Sequence, residues 1–109
     1  MNQLAKDVLR KAWLDGTPQI KGRLFDGQGG MCAWGVLGAA LGYTTGITFY
    51  ASLGMIRRTY SLSSARYVPC PFCAKTCDEG SLLVHLNNEH DLDFGKIAEL
   101  MPITEESAA

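Results

Sequence analysis

Four side chains with an affinity for soft metals crowd into one short stretch. Cys70-Pro71-Phe72-Cys73 is followed by eleven residues, then His85, then four residues, then His90, a C-x2-C-x11-H-x4-H spacing. Zinc takes four thiolate or imidazole ligands at the corners of a tetrahedron. A Cys-x2-Cys knuckle brings two sulfurs to one ion while backbone N–H groups turn toward them. Two histidines five residues apart project from nearly one face of a helix, the more so if its last turn loosens. The pattern predicts Zn2+ held by Cys70, Cys73, His85 and His90. All four corners are then protein, no place remains for water, and the site is structural rather than hydrolytic. Metal binding is expected to organise residues 67–100, with an apparent contribution on the order of 10 kcal/mol.

Two further cysteines need an account. Cys77 follows the knuckle closely. It reads as a core or spare thiol, with replacement of one histidine at the metal as the alternative. Cys32 follows the glycine-rich run Asp26-Gly27-Gln28-Gly29-Gly30 and opens an apolar segment. A thiol at a helix N-terminus is acidified, so a thiol hydrolase using Cys32 is one alternative function. Its partner base would have to be His85 or His90, both better used on metal, and a small buried apolar Cys is the preferred reading. Three of the four cysteines fall within eight residues. A secreted disulfide domain scatters them instead. The N-terminal run Met1-Asn2-Gln3-Leu4-Ala5-Lys6-Asp7 has no apolar signal-peptide core. Reduced thiols in a cytoplasmic protein are expected.

The stretch 68–90 resembles a C2H2-type zinc finger, whose usual spacing is roughly C-x2-4-C-x12-H-x3-5-H. Leu82, three residues before His85, suits that motif, while the central gap is one residue short and the place of the central aromatic falls at or near Cys77. The resemblance implies base-reading positions at Asp78, Ser81 and Val84. None is Arg or Lys, the commonest partners of guanine. Residues 66–100 carry three basic and six acidic groups, a charge of −3 that repels phosphate. Residues 1–65 carry seven basic and three acidic groups, a charge of +4. The whole chain is at −1, which excludes attachment to nucleic acid by bulk positive charge. Protein–protein contact is the preferred role, with a nucleic-acid-binding regulator as the alternative.

Residues 3–14 read as a helix with Leu4, Val8 and Ala12 in line and Ala5, Leu9 and Trp13 beside them, ended by Asp15-Gly16-Thr17-Pro18. Residues 19–25 alternate loosely, and with the turn at 26–30 and a return strand near Met31-Cys32 they predict a β-hairpin. A helix is predicted next, over Ala33–Leu41. Residues 27–56 carry no charge, Arg57-Arg58 come directly after, and Gly38, Gly42 and Gly46 repeat at four-residue spacing, so 31–56 is the stretch to watch for a membrane span. Gly42-Tyr43-Thr44-Thr45-Gly46 interrupts it, and Phe49, Leu53, Ile56 and Tyr60 then share one helical face. Two core helices are preferred to a membrane segment. Helices are also predicted over 79–89 and, with Asp93 as N-cap and Pro102 as stop, over 94–101.

Two blocks, Lys21-Gly22-Arg23-Leu24-Phe25-Asp26-Gly27-Gln28-Gly29-Gly30-Met31-Cys32-Ala33-Trp34-Gly35-Val36-Leu37 and His85-Leu86-Asn87-Asn88-Glu89-His90 followed by Ile97-Ala98-Glu99-Leu100, resemble small uncharacterised proteins of actinobacteria and their phages. That resemblance implies a helix-rich fold and a bacterial or phage-infected cytosol, and no chemistry. The expected architecture is α+β: a helix, β-hairpin and helix core over 1–63, a zinc-binding module over 64–102, and a frayed tail over 103–109. The expected function is a non-enzymatic, zinc-containing binding protein, an accessory or host-directed phage factor.

Overall fold

The computed structural model describes residues 1–103. Helix α1 (Gln3–Leu14) starts where the Asn2 side chain accepts a hydrogen bond from Ala5 N at 3.0 Å. It ends at Gly16, whose φ of +74° needs a residue without a Cβ. Its buried face is Ala5, Leu9 and Ala12, rotated from the expected Leu4, Val8, Ala12 line. Leu4 and Trp13 stay half exposed because the packed neighbours lie along the Ala5 side.

The hairpin expected over 19–32 does not form. Only single bridges join Met31 to Gln19 and Phe25. Gly22, at φ +81°, turns the chain out of extended geometry before a ladder can propagate. Side chains take over the backbone groups that a ladder would have paired. Ile20 O accepts from Asn87 Nδ2 at 2.9 Å, and Gly22 N donates to Asn88 Oδ1 at 3.2 Å. The Asp26 carboxylate accepts from Gln28 N and Gly30 N, and these two bonds hold its pKa below the usual carboxylate value.

Helix α2 (Ala33–Ala39) is apolar and buried almost throughout. Gly35 lets it lie against the Leu24 carbonyl, and Gly38 against the Phe49 ring. The single helix expected after the glycine–threonine turn is two: α3 (Gly46–Ala51) and α4 (Leu53–Tyr60). Thr45 and Thr48 form a reciprocal capping box at the start of α3. The break falls at Ser52, two residues before Gly54, so that two weak helix formers flank Leu53. Phe49, Ile56 and Tyr60 still face the core, and the Tyr60 hydroxyl donates to Leu37 O at 2.8 Å. No helix among the described residues is long and apolar enough to cross a membrane; the uncharged stretch is spent on α2, a turn, α3 and the start of α4.

The two-stranded sheet lies further along, as β1 (Tyr67–Pro69) antiparallel to β2 (Thr76–Asp78), with Val68 opposite Cys77. So the fold class is α+β, with its hairpin around the knuckle rather than in the first third. Helix α5 (Glu79–Glu89) is capped by Asp78, which accepts from Ser81 N at 2.8 Å. Helix α6 (Phe94–Leu100) is capped as expected by Asp93, which accepts from Lys96 N at 2.7 Å. It runs antiparallel to α1: Lys6 Nζ reaches Met101 O at 2.8 Å while Trp13 covers Gly95. Of the predicted tail, residues 104–109 lie outside the described residues.

Side chains from both halves share one hydrophobic cluster, running from Met1 and Leu9 through Leu37 and Phe49 to Leu82, Leu86 and Ile97. α5 is its central element, with Leu82, Leu83 and Leu86 fully buried against α2 and α6. Besides His85, two polar side chains on α5 are buried. Glu79 accepts from Ser63 N and Arg66 Nη1, both at 3.0 Å, and pairs with the Met1 ammonium. Asn87 accepts from Gln19 Nε2 at 2.8 Å and Ala33 N at 3.1 Å, and donates to Ile20 O and Asn88 Oδ1, both at 2.9 Å.

Candidate metal centre

The knuckle lies in the loop of the β1–β2 hairpin, closed by Cys70 N donating to Lys75 O at 2.8 Å. Phe72 N turns back toward Cys70 Sγ at 3.4 Å, the contact that steadies a sulfur carrying negative charge. His85 projects from the second half of α5. His90 is its C-cap, at φ −113° and ψ +3°, so the helix has ended and the second ring swings back over the first. The two rings meet edge to face with centroids 4.7 Å apart.

Cys70, Cys73, His85 and His90 each offer one donor atom, and all four atoms lie within 4.8 Å of one another. Cys70 Sγ is 3.5 Å from His90 Nε2, Cys73 Sγ is 3.3 Å from His85 Nε2, and the two Nε2 atoms are 3.1 Å apart. Ideal zinc–ligand bonds give tetrahedral edges of about 3.6 Å between sulfur and nitrogen and about 3.3 Å between nitrogens. The three observed edges match these to within a few tenths of an ångström. Four electron-pair donors converging on one point repel one another, and a shared cation removes that repulsion. This donor set therefore fits a divalent metal.

The cluster sits at the edge of the core. Cys70 and His85 are buried, His90 is half-buried under the Phe72 ring (centroids 5.2 Å apart), and Cys73 is exposed. Cys77 lies outside the cluster, half-buried on β2 and packed with Val68 against the main hydrophobic core. A free-standing finger needs a small core of its own. Here the donor set leans on the main core at Leu82 and Leu86.

Cys32 is the N-cap of α2 and 5% exposed. Burial pushes its thiol up, outweighing the N–H groups of Gly35 and Trp34 that act in the other direction. The chain has only two histidines, and both aim a ring nitrogen at the knuckle sulfurs. No imidazole is left to activate Cys32. Sequence reasoning missed Asn87 and Glu79 as supports of the metal helix. Asn87 had a signal, since it lies between the two histidines and its side chain bonds into the 19–33 segment. The burial of Glu79 had none.

The fold and the site together define a small α+β protein with a Cys2His2 group placed to hold a metal ion. Comparison with protein-family models, curated proteins and solved structures returned no match.

Proposed function

We propose that this chain is a zinc protein in which the ion clamps the β1–β2 hairpin onto α5, and that it works as a non-enzymatic module binding another protein. The observation that carries the metal reading is the convergence of the four donor atoms within 4.8 Å. Two sulfurs with two imidazoles suit zinc, which tolerates the mixed tetrahedral set and leaves no coordination site for catalysis. Cys70 and Cys73 hold the hairpin end of the clamp and His85 and His90 the helix end.

The burial pattern favours a protein partner over nucleic acid. Of the three base-reading positions, Asp78 caps the helix, Val84 is half-buried and Ser81 alone is exposed. A narrow strip through Ser81, Val84 and Asn88 reaches solvent along α5 and most of the rest is turned into the core, so little of the helix is free to lie in a groove. By contrast, Ile47 (84% exposed) and Tyr50 (66%) stand out from α3 within an uncharged stretch. Three residues apart on one helix, they are the apolar surface that the proposed partner would cover.

Elemental analysis of the purified chain tests the metal reading, with one equivalent of zinc expected. A chain that carries no metal, and takes up none when reduced and supplied with zinc, refutes it. For the partner, Ile47→Asp is expected to abolish capture of a protein that the zinc-loaded parent retains. Binding to DNA that weakens steeply with salt would favour the nucleic-acid alternative instead.

A further inference from the structure

The burial of the four ligands is uneven. Cys70 is 5% exposed and His85 8%, whereas Cys73 faces solvent along with the rest of the 71–76 loop. Of the two knuckle residues Cys73 is the exposed one and Cys70 the buried one. The remaining cysteines are less accessible: Cys77 is half-buried and Cys32 buried. The two knuckle sulfurs lie within 4.8 Å of each other, on a Cys-x2-Cys loop whose chain can bend to join them.

The geometry points to Cys73 as a site of oxidation by hydroperoxides, with Cys70 as the sulfur that resolves it and release of the knuckle loop as the result. This inference rests on the zinc reading above. The Cys73 sulfur attacks the O–O bond of hydrogen peroxide, becomes a sulfenic acid and expels hydroxide, which takes up a proton to form water. The Cys70 sulfur then attacks the sulfenic sulfur, forming the S–S bond and expelling a second hydroxide that is likewise protonated. Two electrons pass from the two sulfurs to one peroxide. With both sulfurs joined, the two imidazoles alone cannot retain the ion, and it leaves still divalent.

The structural consequence is local. Residues 71–76 are exposed and have no core packing to hold them once the clamp opens. α5 remains fixed by Leu82, Leu83 and Leu86 and by the three hydrogen bonds that join Asn87 to Gln19, Ile20 and Ala33. Oxidation therefore frees the knuckle loop over 71–76, while Val68 and Cys77 keep the strands against the core and the helical core stays standing.

The test uses the full chain loaded with zinc, its metal content measured first, then treated with hydrogen peroxide with and without a dimedone-type sulfenic acid probe. Expected are probe on Cys73 rather than Cys70, and, without probe, a Cys70–Cys73 disulfide formed in step with released zinc. The Cys70 and Phe72 amides, bonded to Lys75 O and Cys70 Sγ, should lose protection while those of α5 and α6 keep it. Cys77→Ser should release zinc at the parent rate. Retention of zinc after peroxide treatment, probe on Cys70 or Cys77, or loss of the response in Cys77→Ser would each overturn the inference. A chain that takes up no zinc at the outset overturns both readings, whereas one that holds zinc under peroxide overturns this one alone.

Discussion

Replacing Asn87 by alanine removes four hydrogen bonds at once, on a side chain with no solvent exposure. Two of its partners have other bonds to fall back on. Gln19 Nε2 still donates to Leu92 O at 2.7 Å, and Asn88 Oδ1 still accepts from Gly22 N at 3.2 Å. The other two are backbone groups, Ala33 N in the first turn of α2 and the Ile20 carbonyl. Ala33 N is left buried without a partner and Ile20 O half-buried; at about 1–3 kcal/mol for an unpaired group, nearer the low end for the half-buried one, the pair sets a loss of about 4 kcal/mol. That is a large share of the roughly 5–15 kcal/mol that holds a domain together. The midpoint of thermal unfolding should fall by about 15–30 °C. The assay is urea unfolding followed by circular dichroism in excess zinc, which keeps the metal contribution equal in both proteins. Asn87→Asp has nearly the same shape and can still accept from Gln19 and Ala33. It cannot donate to Ile20 O or Asn88 Oδ1, and it buries a charge, so it should lose at least as much. A loss below about 1 kcal/mol for Asn87→Ala would refute the claim that these bonds, rather than apolar contact alone, join α5 to the 19–33 segment.

Chelation of zinc in the reduced protein should abolish hydrogen-exchange protection at the Cys70 and Phe72 amides and spare α1 and α2; uniform loss across the chain would show that the clamp holds the whole core. Because burial raises the Cys32 thiol, its neutral form is favoured by folding, and that stabilisation is complete below the unfolded-state value and lost as pH rises through the folded one. Urea midpoints should therefore fall as pH rises past the ordinary thiol value, and fall less in Cys32→Ala; equal slopes would discount the burial. Gly35→Ala would place a Cβ 2.5 Å from the Leu24 carbonyl oxygen, which belongs to backbone and cannot swing aside. A loss of about 2 kcal/mol is expected in chemical denaturation, and an unchanged midpoint would mean that α2 moves freely against the loop.

Local signals read well. Gly16 and Pro18 end α1 and Asp93 caps α6 as expected, because a cap depends on a few consecutive residues. The knuckle and the two histidines were legible for the same reason: ligand spacing is a covalent distance. Three features were not. The 19–32 segment alternates enough to suggest strands, but its polar groups are satisfied by Asn87 and Asn88 from more than sixty residues away. The break at Ser52 was hidden under a continuous apolar period. The buried face of α1 was set by where α2 and α6 pack, which no window of its own residues contains.

The chain order alone determined which residues can cap, turn and ligate, since those are properties of neighbours joined by a few bonds. The tertiary structure alone decided that α5 is the centre of the molecule, that Cys70 is shielded while Cys73 is open, and that Glu79 and Asn87 are buried with partners from distant segments. Burial is a relation between surfaces brought together from far apart along the chain, and one stretch of sequence holds only one side of it.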